Sequence, residues 1–218
     1  MTNPEHQALQ RQLQRYEVRF NAAFWGFWDA HVAPILPNTP VIADVGIGPG
    51  LFLRDLSAKL REVTLLGVDS SEVMLANAQS LNYEGAIPTL QLMDVETSPL
   101  PFPDGSVDLL TMAAVLHTFE DPFTFLREEV PRVLKPRGRF LLFDWFRQPM
   151  QTYIARRIVE PGDPEELRYS RALEQFRAHN KYTMADWLWI ISESNLTIEA
   201  ETSEPHPAAR IWLLHTGQ

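Results

Sequence analysis

Residues 41–50 read Val-Ile-Ala-Asp-Val-Gly-Ile-Gly-Pro-Gly, and this stretch decides the fold. A short apolar run leads into three glycines at alternate positions, Gly46, Gly48 and Gly50. A strand that passes through glycines into a helix brings backbone N–H groups and the helix N-terminus close to a ligand. The stretch therefore predicts a strand, a ligand-binding turn and a helix, with a tight turn that holds no ligand as the alternative.

Strands and helices alternate after this turn. The patterns predict strands at residues 41–45, 63–68, 89–93, 107–113 and 140–144, with helices at 51–60, 72–81 and from Asp121-Pro122 towards Leu134. A last helix begins at Thr183, and strands at 196–202 and 209–215 follow it. Alternation of this kind is typical of an α/β fold, a mostly parallel sheet with helices on both faces.

Two helical additions flank this core. Apolar residues spaced by three or four predict one N-terminal helix from Glu5 to Ile35, which Pro34 and Pro37 end. Residues 146–182 are predicted to form a helical insertion after the fifth strand, broken by residues 161–164. We expect one domain over residues 1–218, with residues 1–37 as an N-terminal helical cap.

Composition excludes several classes of function. A net charge of -9 disfavours nucleic acid and anionic membranes as partners, and the absence of cysteine excludes disulfides and thiolate chemistry. The six histidines form no closely spaced pair, so no metal site is expected. The polar N-terminus lacks an apolar signal core, and we expect a cytoplasmic protein. The sequence does not indicate an oligomeric state.

Two acidic residues follow neighbouring predicted strands. Asp69 ends the second strand, where a carboxylate can accept both hydroxyls of a ribose; capping of the next helix is the alternative. Asp94 follows the third strand and could accept from an exocyclic amine such as that of adenine, or be an ordinary loop carboxylate. The dinucleotide fingerprint G-x-G-x-x-G is not met, because Leu51 occupies its third glycine position. A nicotinamide-dependent oxidoreductase is therefore disfavoured.

Four blocks in this order resemble one family: VIADVGIGPG (41–50), LLGVDSSEVMLANA (65–78), LQLMDVETSPLPFPDGSVDLL (90–110) and LHTFEDPFTFLREEVPRVLKPRGRFLLFDW (116–145). They resemble the class I S-adenosylmethionine-dependent methyltransferases, particularly the small-molecule branch. The resemblance implies a Rossmann-like sheet of seven strands with the last one antiparallel, and S-adenosylmethionine as cofactor.

The resemblance also implies the cofactor-binding residues. Those for the methionine part are Asp44, Gly46, Gly48 and Gly50; the ribose acid is Asp69; those for adenine are Met93, Asp94 and Val95; and those flanking the sulfonium are Ala113 and Ala114. Ile47, Ser70 and Met74 are also expected to contact the cofactor.

The residues that would bind or activate the methyl acceptor are predicted from weaker patterns. His117 follows the fourth strand and is the candidate catalytic base, although a polar residue that fixes the loop is the favoured alternative. Aromatic residues outside the shared core are expected to form a lid over the substrate, with core packing as the alternative: Tyr16, Trp25, Trp28, Trp145, Tyr153 and Tyr182.

The predicted function is methyl transfer to a small, apolar or aromatic molecule at O, N or C. A non-methylating protein that binds the same cofactor is the main alternative. The sequence does not indicate the acceptor.

Overall fold

The computed structural model describes residues 4–158, 165–179 and 181–217. Within them, seven strands form one sheet in the order β3-β2-β1-β4-β5-β7-β6. The strands are Val41–Val45 (β1), Thr64–Asp69 (β2), Thr89–Leu92 (β3), Val107–Ala113 (β4), Leu134–Trp145 (β5), Leu196–Thr202 (β6) and Ala209–Thr216 (β7). β1 pairs in parallel with β2 and β4, while β7 runs antiparallel between β5 and β6. The predicted Rossmann-like sheet with an antiparallel last strand is confirmed.

Helices lie on both sides of this sheet. They are Pro4–Arg19 (α1), Ala22–Phe27 (α2), Leu51–Lys59 (α3), Glu72–Ser80 (α4), Pro122–Thr124 (α5), Val130–Val133 (α6), Met150–Arg157 (α7), Arg168–His179 (α8) and Met184–Glu193 (α9). Two buried apolar clusters result, one containing Trp187 of α9 and the other containing Phe24 of α2 and Phe52 of α3. No helix among the described residues is long and apolar enough to cross a membrane.

The prediction of one N-terminal helix from Glu5 to Ile35 is wrong at its centre. The helix stops at Arg19, and Asn21 caps a second helix by accepting hydrogen bonds from the backbone N–H groups of Ala23 and Phe24. An asparagine side chain competes with helical backbone hydrogen bonds and therefore favours a helix start over a helix interior. A π-helical turn and a 3₁₀ turn then carry the chain to Ile35, where the helical segment ends as predicted.

The segment between β4 and β5 is less regular than a single helix. A 3₁₀ turn at Leu116–Thr118 leads to α5, a π-helical turn at Phe125–Glu129, and α6. Pro131 lies in α6 and has no N–H to donate to a helical hydrogen bond. The fifth strand begins earlier than the predicted residue 140, because β5 starts at Leu134 and its pairing with β4 jumps from Leu134 to Arg139.

The described parts of the insertion form two helices that pack on each other. In α7 the ring of Tyr153 meets the ring of Phe176 in α8 edge to face, with centroids 5.4 Å apart. The predicted break at residues 161–164 lies outside the described residues. The last helix begins at a capping box in which Thr183 and Asp186 satisfy each other's backbone N–H groups.

Candidate functional site

A cavity of about 440 Å³ opens at the carboxyl ends of the parallel strands. This edge of an open α/β sheet is where side chains and helix N-termini from several strands converge. The wall comes from the end of β1 and the glycine turn, the ends of β2 and β4, the loop after β3, and one face of α1. The first group of predicted residues in this wall is Asp44, Gly46, Ile47 and Gly48; the second is Asp69, Ser70 and Met74; the third is Met93, Asp94, Val95, Ala113 and Ala114.

The backbone conformation and the neighbouring residues, more than a ligand, explain why three glycines occur in this turn. All three have positive φ values, of 71° at Gly46, 54° at Gly48 and 81° at Gly50. An added Cβ would lie 2.5 Å from the Cβ of Ala78 at Gly50, and 2.4 Å from a methyl group of Val115 at Gly46. At Gly48 a Cβ would meet nothing within 4 Å. Neighbouring elements thus exclude side chains at two positions, while the left-handed backbone favours glycine at all three.

Gly50 is the one predicted cofactor residue that the structure does not place in the cavity wall. It caps the N-terminus of α3 and lies against Ala78 of α4, so its role is to let two helices approach. The expectation that Gly50 contacts the cofactor stays a prediction.

Asp69 connects the glycine turn to the start of α4. Its carboxylate accepts from the backbone N–H of Gly48 at 2.8 Å and from that of Ser71 at 2.9 Å. Burial raises the pKa of this carboxyl, while the backbone hydrogen bonds oppose the rise. Each carboxylate oxygen can accept more than one hydrogen bond, so Asp69 retains capacity for the hydroxyls of a ligand.

Asp44 is a buried acid beneath the turn. Thr111 of β4 donates its hydroxyl to Asp44 at 2.6 Å, and 3% of Asp44 is exposed. Burial raises the pKa of Asp44 to about 7, and the charge of Asp69 adds to the rise. A cationic ligand group beside Asp44 would favour its ionised form, because opposite charges lower a carboxyl pKa.

The opposite end of the cavity is more open. Asp94 is exposed and accepts from the backbone N–H of Glu96 at 3.0 Å, while Met93 and Val95 are partly buried on either side. The side chains of these three residues provide one acceptor between two apolar surfaces. This arrangement is suited to a flat heteroaromatic ring with an amine.

The end of β4 is narrow and constrained. Ala114 has a φ of 60°, which is uncommon for a residue with a side chain, and its N–H donates to the carbonyl of Phe143 at 2.7 Å. Both Ala113 and Ala114 line the cavity, and neither has a side chain larger than a methyl group. Small side chains here leave room for a ligand at its centre.

Of the predicted acceptor residues, only Tyr16 lines the cavity. Its hydroxyl lies 2.6 Å from a carboxylate oxygen of Asp55 and 3.2 Å from the carbonyl of Leu51, both in α3. Burial and the charge of Asp55 raise the Tyr16 pKa well above its ordinary value. Tyr16 therefore fixes α1 to the helix that follows the glycine turn.

The structure places the two tryptophans of the predicted lid, Trp25 and Trp28, outside the cavity wall. Trp28 is 0% exposed and packs edge to face on Phe52, while Trp25 also contacts Phe52 and lies under the ammonium of Lys59. Both side chains belong to the layer that covers α3, away from the cavity. The apolar face of α3 needs a cover, and these tryptophans provide it. The core-packing alternative describes them.

The remaining three aromatic residues also lie outside the cavity wall. Trp145 packs against His206, and its carbonyl accepts from Trp187; Tyr153 packs in the α7–α8 pair; and Tyr182 lies 3.0 Å from the carbonyl of Phe119 through its hydroxyl. Tyr182 approaches the cavity indirectly, because Phe119 lines it.

His117 lies behind the cavity wall. Its Nδ1 is 2.6 Å from one oxygen of the buried Asp144, and its backbone N–H donates to the other oxygen at 2.9 Å. Its side chain is 8% exposed, and the cavity is lined by its neighbours Val115 and Thr118 instead. These two bonds hold the 3₁₀ turn against β5, which is the loop-fixing role.

Sequence reasoning missed part of the wall. Gln12, Arg19 and Phe20 of the N-terminal segment line the cavity, together with Phe52 and Phe119. A signal was present, since Gln12 and Arg19 lie on the same helical face as the predicted Tyr16. Among the described residues, no group of three His, Cys, Asp or Glu side chains is placed to hold a metal ion.

Comparisons with known proteins agree with this geometry. Residues 43–142 match the methyltransferase domain family. The uncharacterized methyltransferase YcgJ of Bacillus subtilis strain 168 is 32% identical over 135 residues, which are 61% of this chain and 52% of that protein. The ubiquinone/menaquinone biosynthesis C-methyltransferase UbiE of Shewanella sp. strain W3-18-1 is 29% identical over 160 residues, 67% of this chain and 60% of that protein. The chain thus spans between half and two thirds of the length of these two curated relatives.

A solved structure shares the whole fold. The S-adenosylmethionine-dependent methyltransferase from Aquifex aeolicus aligns over 98% of this chain and 99% of its own, with a TM-score of 0.65 and 19% identity. At that identity the likeness concerns the fold.

Proposed function

We propose that this chain is a class I S-adenosylmethionine-dependent methyltransferase, which transfers the methyl group of S-adenosylmethionine to a small, apolar or aromatic acceptor. The observation that carries the proposal is the cavity itself. Twelve of the thirteen residues predicted to contact the cofactor line this one cavity, although they come from four separate segments of the chain. An acid beneath the glycine turn, an acid at the end of β2 and an acid after β3 thus line one space.

The chemistry of the wall fits each part of this cofactor. Asp44 would accept from the ammonium of the methionyl group, Asp69 from the ribose hydroxyls, and Asp94 from the adenine amine. The small side chains of Ala113 and Ala114 would leave space for the sulfonium and its methyl group. When bound, the sulfonium supplies an already activated methyl carbon, so the protein contributes mainly orientation and exclusion of water.

Aromatic and apolar side chains support the proposed acceptor class. Phe20, Phe52 and Phe119 line the cavity in addition to Tyr16, and such surfaces suit stacking on a flat or apolar molecule. The name of the Shewanella relative refers to quinone biosynthesis, which makes quinols sensible first acceptors to test. The residues proposed to contact the acceptor are therefore these phenylalanines, in place of the tryptophans.

A catalytic base is not needed for the proposal. His117 remains the candidate, but its bonds to Asp144 and its place behind the wall support the loop-fixing alternative more strongly. A change of His117 to Gln separates the two roles. Loss of a base lowers kcat with a changed pH profile, whereas loss of the loop anchor lowers the unfolding free energy and cofactor affinity.

Calorimetric titration tests the cofactor part of the proposal. We expect S-adenosylmethionine and S-adenosylhomocysteine to bind with micromolar dissociation constants, about -8 kcal/mol, and NAD to bind far more weakly. Equal affinity for NAD would refute the cofactor assignment.

Transfer of a labelled methyl group to phenols, quinols and amines tests the activity. Cofactor binding without transfer to any acceptor in a broad screen would favour the alternative, a non-methylating protein that uses the same site.

A further inference from the structure

Arg19 is the one Lys or Arg among the residues that line the cavity, within the part of the chain that the structure describes. The charged groups around it in the wall are acids: Asp44, Asp69, Asp94 and Glu96. We propose that Arg19 binds the carboxylate of the methionyl end of the cofactor. This assignment rests on the proposed function, because it names the partner of one group of that cofactor.

The position of Arg19 in the cavity indicates which part of the cofactor it would contact, namely the methionyl end. Tyr16 fixes α1 to Leu51 and Asp55 at the start of α3, directly after the glycine turn. Arg19 follows Tyr16 by three residues, so the two side chains share one face of α1. Arg19 therefore lies on the side of the cavity where α1 meets the start of α3, directly after the glycine turn, whereas Asp94 follows β3 at the edge of the sheet.

The guanidinium of Arg19 has an incomplete set of partners. Its Nη2 donates to the side-chain oxygen of Gln12, which is neutral. Among the described residues, no carboxylate lies within ion-pair distance of Arg19, and Asp144 acts on it only as a more distant charge. Burial and the neighbouring charge of Arg15 lower the pKa of Arg19 to about 10. A cation in this condition gains from a bound carboxylate, which can accept from two guanidinium N–H groups at once.

The charges of the wall match a zwitterion. The methionyl end carries one ammonium and one carboxylate, and the same cavity wall offers Asp44 as an acid and Arg19 as a cation. A wall of acids alone would repel the carboxylate. Asp69 and Asp94 would accept hydrogen bonds from neutral groups of the cofactor, the ribose hydroxyls and the adenine amine.

The test compares two ligands that differ by the carboxylate. S-adenosylhomocysteine carries it, and 5′-deoxy-5′-(3-aminopropylthio)adenosine keeps the amine and the adenosine but lacks it. Both are titrated by calorimetry against the unchanged protein, Arg19→Gln, Arg19→Lys and Arg15→Gln. Arg15→Gln removes the same charge from the same helix at a side chain outside the cavity wall, and thermal unfolding verifies that each variant is folded.

We expect Arg19→Gln to weaken S-adenosylhomocysteine about 10- to 100-fold and the decarboxylated ligand less than threefold. Arg19→Lys should recover part of the loss, and Arg15→Gln should change both ligands less than threefold. Equal losses for the two ligands, or no loss for S-adenosylhomocysteine, overturn the assignment of Arg19. If Arg19→Gln weakens only the binding of an acceptor, the assignment is also overturned, because Arg19 would then bind a carboxylate of the acceptor. If the unchanged protein binds neither ligand, the proposed function fails, and the assignment fails with it.

Discussion

The buried acid beneath the glycine turn should make cofactor binding depend on pH. Asp44 has a pKa of about 7 in the ligand-free protein because burial disfavours its charge. An ammonium group bound beside it would hold the carboxyl ionised. Binding below pH 7 must therefore release a proton from Asp44, and affinity should rise as the pH rises through the pKa.

The size of the effect follows from that pKa. With a pKa of about 7, roughly one molecule in eleven is ionised at pH 6 and ten in eleven at pH 8. The affinity for S-adenosylhomocysteine should therefore increase about tenfold over this range, or about 1.4 kcal/mol. At pH 7 about half a proton should be released for each ligand bound.

Titration calorimetry in two buffers of different ionisation enthalpy measures both quantities. Asp44→Asn is the matched variant, because it keeps the shape and a hydrogen-bond acceptor for Thr111 but cannot ionise. Its affinity should be lower than that of the unchanged protein at pH 8 and nearly independent of pH. A flat profile in the unchanged protein, or the same slope in Asp44→Asn, would show that this carboxyl does not receive the ammonium.

The ligand-free protein gives an independent check of the same carboxyl. Its pKa in the folded protein is raised above the ordinary value, so its contribution to stability is complete below pH 3.8 and is lost as the pH rises through about 7. The shift corresponds to at most about 4 kcal/mol. Without ligand, Asp44→Asn should therefore raise the melting temperature at pH 8 and have little effect at pH 4. A lower melting temperature at pH 8 would contradict this reasoning.

Three further changes separate the cofactor site from the supporting core. Asp69→Ala should lose about tenfold more affinity for S-adenosylhomocysteine than Asp94→Ala in calorimetry, since Asp69 can accept two ribose bonds and also ties down the turn; the reverse order would contradict the assignment. Trp28→Ala should lower the unfolding free energy by about 3–5 kcal/mol in denaturant titration, and Trp25→Ala should lower it by less. Both variants should keep their cofactor affinity within about threefold of that of the unchanged protein. A larger loss of affinity in the folded variants would support the lid hypothesis. Tyr16→Phe should cost about 1–2 kcal/mol of unfolding free energy, because α1 loses its bond to α3, and an unchanged denaturation midpoint would argue against that anchor.

The sequence by itself determined the order of elements and the cofactor half of the site. Periodicity, glycine spacing and acids at strand ends are local signals, and parallel strands bring their carboxyl ends to one edge of a sheet. Gly46, Gly48, Asp69 and Asp94 could therefore be placed at one edge of the sheet from local signals, and the family resemblance added Asp44, Met93, Val95, Ala113 and Ala114. The break at Asn21 was also readable in principle, because a cap needs only its own two or three neighbours.

Only the tertiary structure decided which aromatic residues face the cavity and what the N-terminal helix contributes. An aromatic residue on a helix packs equally well on a core or on a ligand, and burial against Phe52 settled this for Trp28. The position of Gly50 outside the cavity wall also depends on tertiary structure, because its close neighbour is Ala78 of another helix. The role proposed for Arg19 depends on four acids, from three other segments of the chain, that line the same cavity. Local patterns record what one segment can do, whereas such a charge balance exists only after the segments have come together.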